Sequence, residues 1–187
     1  MQWLQWVIIW IGTYILGMAW TAPRNWTPDE LVDEDIMNVH VRDNLNALKT
    51  PPSADYVLNE AGDYSGAGAG WADIDSTNLS LTITTTGGDV MVHFHGLFWT
   101  TAGSVRVYLD VEVDGLGNRT AGDDGIIGDL VITSGTSIAF TRLITGLPAG
   151  AHVFDLQWNA AAVHRMAAGA GTANFDTHSQ FWAREVS

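Results

Sequence analysis

Two histidines separated by a single residue are the first candidates for chemistry in this sequence. His93 and His95 lie in a stretch of alternating apolar and polar residues, and side chains two positions apart on a β-strand share one face. Two imidazoles on one face can begin a transition-metal site; the alternative is that both are packed or lie in an interface. A third ligand would have to be brought near by the fold, from among His40, His152, His164 and His178.

Carboxylates form the second group of candidates. They lie at the end of a strand-like stretch and in the glycine-rich segment that follows it, at Asp110, Glu112, Asp114, Asp123 and Asp124. Such a loop can supply the roughly six to eight oxygen ligands that calcium takes, but its spacing is not that of an EF-hand. The sequence therefore predicts no obligatory cofactor, and a calcium site competes with a solvated acidic loop.

Sequence patterns for catalysis are not found. The chain contains Ser, His and Asp residues but no Gly-x-Ser-x-Gly elbow. The glycine-rich residues 66–70 are followed by Trp71 and lack the Lys-Ser/Thr pair of a phosphate-binding loop. We therefore expect a protein without enzymatic activity and assign no catalytic residue.

Four tryptophans lie within or beside the predicted strands, namely Trp71, Trp99, Trp158 and Trp182. A tryptophan buries a large apolar area, so core or subunit-interface positions are expected for most of them. One or two that stay exposed beside polar loops could stack on sugar rings. A carbohydrate-binding surface is therefore an alternative.

The composition excludes several classes of function. The chain has 187 residues, 21 acidic and 8 basic side chains, and a net charge of −13. A nucleic-acid-binding protein needs a clustered basic face, so that class is excluded. The absence of cysteine excludes disulfide scaffolds, thiol nucleophiles and thiolate metal sites. The length corresponds to one domain with a tail.

Residues 1–23 form an uncharged, mostly apolar segment, and Arg24 is the first charged residue. Three interpretations compete: a signal peptide without the usual basic start, a membrane anchor, and an extension upstream of a natural start at Met18. We expect contact with a membrane only if this segment acts as an anchor.

Residues 24–53 are predicted to form a helical module and a linker. Residues 27–30 have the pattern of a helix start, and a longer helical pattern covers residues 33–48. A stripe with alternating intervals of three and four residues contains Asn38, Val41, Leu45 and Leu48. The stripe either associates with other copies of the chain, with the asparagine setting the register, or packs on the chain's own β-domain. The two prolines after Thr50 end the helix.

Residues 54–187 are predicted to form a β-domain, because two-residue periodicity replaces the helical period. The clearest strand covers residues 104–113, in which five apolar residues alternate with Arg106, Tyr108, Asp110 and Glu112. Other strands are predicted at 79–84, 89–99, 126–133, 137–144, 152–158 and 180–186, while 160–171 is either a loop or a weak strand. About eight short strands with turns between them predict an all-β fold, an antiparallel jelly-roll sandwich.

Two parts of the sequence resemble known proteins. Residues 18–21, Trp26 and residues 37–48, which include Arg42-Asp43-Asn44-Leu45-Asn46-Ala47-Leu48, resemble the N-terminal module of small bacteriophage structural proteins. Such proteins often begin at a methionine placed like Met18, which favours the upstream extension. Residues 89–99, 147–158 and 181–186 resemble a jelly-roll head of the C1q/TNF kind.

The resemblance implies a homotrimeric virion surface or tail protein, with the helix near the attachment point and the head outward. We therefore expect a non-enzymatic virion decoration or host-attachment component at the virion surface or tail. Its partners would be other copies of the chain, other virion proteins and a host surface glycan. The alternatives are a secreted or membrane-anchored carbohydrate-binding module, and the subunit of an extracellular filament or layer assembled through the apolar N-terminus.

Overall fold

The computed structural model describes residue 25 and residues 28–117 and 125–186. The chain divides into two compact units, a helical one that ends at Pro52 and a β-sheet one that begins at Ser53. The apolar segment 1–23 lies outside the described residues, so its three interpretations stay predictions. Within the described part of the chain, no helix is long and apolar enough to cross a membrane.

The helical unit consists of three consecutive segments. Helix α1 covers Glu34–Met37, a π-helical segment covers Asn38–Asp43, and helix α2 covers Asn44–Lys49. At the end, the N–H and the hydroxyl of Thr50 both donate to the Asn46 carbonyl at 3.0 Å. The helix thus ends just before the two prolines, which cannot continue it.

A helix start is predicted at residues 27–30, but the described residues 28–30 do not begin a helix, so this prediction is wrong. Pro28 and Asp29 form a turn, and Asp29 has a φ of 62°, outside the right-handed helical region. The helix begins at Glu34 instead, because the Asp33 carboxylate accepts a 2.9 Å hydrogen bond from the Ile36 N–H. Acidic residues in this first turn also face the positive end of the helix dipole.

The described residues of the β-sheet unit contain fourteen strands. Their bounds are β1 Ser53–Val57, β2 Glu60–Ala61, β3 Asp63–Gly66, β4 Ala72–Asp73, β5 Ser80–Thr85, β6 Gly88–Trp99, β7 Ser104–Val113, β8 Leu116–Gly117, β9 Ile127–Ile132, β10 Thr136–Leu147, β11 Gly150–Ala160, β12 His164–Ala167, β13 Gly169–Ala170 and β14 Gln180–Glu185. The ambiguous segment 160–171 thus contains two short strands, and the shortest strands were not predicted.

Two six-stranded antiparallel sheets form the body of the unit. In the first sheet, β6 is central. Strand β10 pairs with one edge of β6, and β14 and β12 pair with successive parts of its other edge. Strand β1 then pairs with β14, and β3 pairs with β12. In the second, β11 and β7 pair with each other, with β4 and β5 beside β11 and β8 and β9 beside β7. Strands β2 and β13 form a separate parallel pair. The unit is an antiparallel β-sandwich of the jelly-roll class, as predicted.

Alternate residues of both sheets form one hydrophobic core. On β6, Val90, Val92, Phe94 and Phe98 are fully buried, so the face that they share points inward. On β7 the five alternating apolar residues are buried in the same cluster, together with Phe154 and Leu156 of β11. Each such side chain contributes about 1.5–3 kcal/mol to folding when it leaves water. This packing fixes which side chains point outward.

Candidate functional site

Strand β6 places His93 and His95 on the outer face of the first sheet. They alternate with the buried residues of that strand, and Met91, Leu97 and Trp99 share their face, as predicted. The two imidazole ring centroids are 6.0 Å apart, with an angle of 47° between the ring planes. We call the surface formed by His93, His95, Thr141 and Trp182 the outer histidine face.

His93 is held from both sides by the neighbouring strands. Trp182 of β14 and Thr141 of β10 lie directly opposite it in the strand register. The His93 ring stacks on Trp182 at a centroid distance of 5.3 Å and an interplanar angle of 27°. Its Nδ1 lies 2.9 Å from the Thr141 hydroxyl oxygen. These contacts fix the ring's orientation.

Burial, and then repulsion from His95, hold the pKa of His93 below its usual value of 6.5, against a hydrogen bond to the Phe140 backbone. The ring is therefore neutral at pH 7. One of its nitrogens then carries a lone pair, which is the form of imidazole that binds metals.

His95 has a more open environment. Its side chain is exposed, and the residues opposite it in the register are Ala139 and Gln180. Alanine leaves free space on the β10 side of the ring. In the next row of this face, exposed Leu143 and Arg184 lie opposite Met91, so the face there is partly apolar and carries one arginine.

The other four histidines do not complete a metal site with this pair. His152 lies on β11 in the second sheet, His164 is buried on β12, and His178 contacts the Leu58 carbonyl oxygen at 2.7 Å. His40 lies in the helical unit. Within the described ranges, no group of three or more His, Asp or Glu side chains could hold a metal ion.

Asp110, which the strand pattern places on the polar face of residues 104–113, is only 1% exposed. Gly125 lies close to the backbone oxygen of Leu109 and to the ring of Trp71. A Cβ added at Gly125 would lie 2.6 Å from each of them. The Ile126 N–H donates to the Leu109 carbonyl oxygen at 2.8 Å, so this segment lies against β7 at the residue before Asp110. The alternation along a strand gives no information on how far a polar side chain is covered.

Other predicted carboxylates are held by hydrogen bonds within the outer face of the second sheet. The side-chain amide of Gln157 donates to Asp73 at 2.9 Å and to Glu112 at 3.0 Å, so one neutral side chain bridges two acids. Asp123 and Asp124 lie outside the described residues. A calcium site in this loop therefore stays a prediction.

Asp114 contacts His152 across the end of the second sheet. Its Oδ2 lies 2.7 Å from His152 Nδ1, and its Oδ1 accepts a 2.8 Å hydrogen bond from the Val153 N–H. His152 Nε2 lies 2.8 Å from the Pro148 carbonyl oxygen. Both ring nitrogens of this buried histidine therefore face acceptors, and both contacts are satisfied only when the ring carries two protons.

The electrostatics of this pair follow from the same contacts. The hydrogen bond to Asp114, followed by the one to the Pro148 backbone, raises the pKa of His152 above 6.5. The hydrogen bond from His152, followed by the Val153 N–H, lowers the pKa of Asp114. His152 and Asp114 thus form an ion pair that joins two turns. No local sequence pattern predicts this contact.

His164 has the opposite environment. Its side chain is 2% exposed, its Nδ1 lies 2.9 Å from the Ala162 carbonyl oxygen, and its ring meets Trp158 edge-on at 4.4 Å. Its Nε2 is buried without a hydrogen-bond partner among the described residues. Burial therefore lowers the pKa of His164, against the hydrogen bond to Ala162.

The four candidate tryptophans divide into two groups. Trp99 and Trp158 are buried, at 6% and 5% exposure, and Trp99 stacks on Phe175 at 4.3 Å. Trp71 and Trp182 are half-buried. Only the latter two therefore present part of a ring to solvent.

The predicted helical stripe crosses a change of helix type. The π-helical segment contains Asn38 and Val41, whereas Leu45 and Leu48 lie in α2. A π-helix has more residues per turn than an α-helix, so intervals of three and four do not stay on one straight line through it. The apolar members are exposed: Val41 by 38%, Leu45 by 61% and Leu48 by 64%.

Comparisons with known proteins do not assign a family. No protein-family model matches the sequence, and no curated protein matches it. Among solved structures, the chain is similar to the structure of infectious bursal disease virus Gx strain, at 11% sequence identity and a TM-score of 0.28. The similarity covers 72% of this chain and 38% of that chain.

Proposed function

We propose that this protein is a non-enzymatic structural component of a virion surface or tail, and that it acts as a homotrimer in decoration or host attachment. The observation that supports self-association is the exposure of Leu45 and Leu48 on the helical unit. An exposed leucine gains about 1.5–3 kcal/mol when it is fully buried, so several copies of this helix favour mutual contact.

The remaining features of the chain agree with this role. A jelly-roll sandwich supplies a rigid head, and the resemblance of residues 37–48 to phage structural proteins supports a virion location. Asn38 is half-buried and polar, and an asparagine on a self-associating stripe can set the register of the copies. The resemblance to C1q/TNF-like heads is the argument for a trimer.

The oligomeric state tests the first part of this proposal. The full chain is purified in a mild detergent, and its protein mass is measured by size-exclusion chromatography with light scattering. We expect three times the 20.2 kDa chain mass. A monomer at every concentration would overturn the trimer.

Variants test whether the stripe is the contact. Leu45→Glu and Leu48→Glu should convert the trimer to monomer, because each substitution would place a charge in the buried subunit contact. Leu31→Glu is the matched control, since Leu31 is 85% exposed and lies before α1, and it should leave the mass unchanged. Trimers that persist in both stripe variants would refute the stripe as the interface.

Mass spectrometry of purified virus particles tests the location. We expect peptides of this chain in gradient-purified particles at a constant ratio to the other virion proteins. Their absence from intact particles would overturn the virion role.

Carbohydrate binding is the second candidate, and the half-buried Trp182 on an open sheet face favours it. A glycan screen with the full chain would detect it. Binding that is lost in Trp182→Ala and kept in Trp71→Ala would support this alternative, because only the first lies on the outer histidine face. No binding to any glycan would exclude it.

A further inference from the structure

We propose that His93 and His95 chelate a divalent transition-metal ion on the outer histidine face, with Ni²⁺, Cu²⁺ or Zn²⁺ as the class of ligand. The site is formed within one chain and does not depend on the proposed trimer. Water would fill the remaining coordination positions, because the described residues offer no third His, Asp or Glu ligand.

The spacing of the two rings fits a shared ion. A zinc–nitrogen bond of about 2.1 Å places the ion about 3 Å from the centre of each imidazole, so two ligating rings have centres about 5–6 Å apart. The His93 and His95 centroids are 6.0 Å apart. The separation of the two rings is therefore compatible with one shared ion, which the exposed His95 ring would reach by rotating.

Thr141 orients the first ligand. The hydroxyl oxygen of Thr141 lies 2.9 Å from Nδ1, and the ring also has a hydrogen bond to the Phe140 backbone. In the tautomer that donates Nδ1–H, Nε2 carries the lone pair. Metal-binding histidines usually donate a hydrogen bond from the N–H of their second ring nitrogen, which fixes the tautomer and the ring orientation. Stacking on Trp182 restricts the ring on its other side.

The second ligand is free to adapt. His95 is exposed, and no hydrogen bond from a described residue holds its ring. The alanine opposite it, Ala139, leaves room for the ion and its water molecules. The central position of β6 between β10 and β14 keeps the two histidine backbones rigid, so binding orders one side chain only.

The donor type determines which ions bind. Imidazole nitrogen suits Ni²⁺, Cu²⁺ and Zn²⁺, whereas Ca²⁺ and Mg²⁺ prefer oxygen ligands. The chain's net charge of −13 attracts every cation non-specifically, so Mg²⁺ is the control for that effect. Within the series, Cu²⁺ should bind more tightly than Ni²⁺ or Zn²⁺.

Titration of the untagged full chain with NiCl₂ in the calorimeter tests the proposal. We expect saturable binding of one ion per chain in the presence of excess Mg²⁺. His95→Gln should abolish it, and because His95 is exposed this variant keeps the fold. His93→Gln should do the same, and Thr141→Val should weaken binding about tenfold through the ring orientation.

His178→Gln is the matched control, since this exposed histidine is bonded to the Leu58 backbone carbonyl. It should leave Ni²⁺ binding unchanged. The absence of saturable Ni²⁺, Cu²⁺ and Zn²⁺ binding to the wild-type chain would overturn the proposal. Binding that survives undiminished in both His93→Gln and His95→Gln, or that disappears in His178→Gln, would overturn it equally.

Discussion

His152 Nδ1 lies 2.7 Å from the Oδ2 atom of Asp114, and this contact joins strand β11 to the turn after β7. The same imidazole reaches the Pro148 carbonyl oxygen with Nε2, in the turn before β11. One buried side chain thus connects two turns at one end of the second sheet. Both contacts have full strength only while the ring is doubly protonated.

This contact predicts a loss of stability at alkaline pH. Because the pKa of His152 is raised above 6.5 in the folded chain, its contribution is fully present below about pH 6.5 and is lost as pH rises through the folded pKa. His152→Gln should lower the free energy of unfolding by about 1–3 kcal/mol in mildly acidic buffer. Urea unfolding of both chains at several pH values measures this. If the free energy of unfolding fell as steeply with rising pH in His152→Gln as in the wild-type chain, the role given to His152 would be contradicted.

His164 predicts the opposite pH dependence. Its pKa is lowered in the folded chain, so the unfolded chain binds the proton more tightly and stability falls as pH drops below about 6.5. His164→Gln should remove this acid-dependent loss, because glutamine does not titrate. His178→Gln, at an exposed position, should keep it. The urea unfolding midpoints of all three chains, measured as the pH falls below about 6.5, test this prediction.

Gly66 leaves the space that the His164 ring occupies. A Cβ at Gly66 would lie 2.5 Å from His164 Nε2 and 3.0 Å from the Trp158 ring. Gly66→Ala should therefore destabilise the fold by about 1–3 kcal/mol. Ser65→Ala, one residue earlier and exposed, should change stability by less than about 0.5 kcal/mol. Equal unfolding midpoints for the two variants would show that the His164 side chain can move away.

Glu185 connects the last strand to the turn between β5 and β6. It is 4% exposed, and its carboxylate accepts hydrogen bonds from the Thr86 N–H at 2.9 Å and the Thr86 hydroxyl at 3.0 Å. Glu185→Ala should cost about 1.5–3 kcal/mol of folding free energy, since it removes the charged acceptor of the Thr86 N–H and hydroxyl. Arg184→Ala, at the exposed neighbour, serves as control, and thermal unfolding followed by circular dichroism compares them. A loss of similar size in both chains would contradict the role of Glu185.

The β-domain could be predicted in outline because its signals are local. The alternation in residues 104–113 and 89–99 determines two strands and their inward faces, and β7 has the predicted bounds. The same local rule placed His93 and His95 on one face. The helical pattern predicted over residues 33–48 agrees with a helix that begins at Glu34, whereas the start predicted at residues 27–30 was wrong, and Asp33 provides the cap.

The sequence by itself determined the all-β class, the alternating faces and the shared face of His93 and His95, because these depend on neighbours along the chain. Only the tertiary structure decided that His152 meets Asp114, that Asp110 is buried, and that Trp182 and Thr141 flank His93. These contacts join residues far apart in sequence. Their partners depend on strand order and register, which follow from packing the whole core and not from any local pattern.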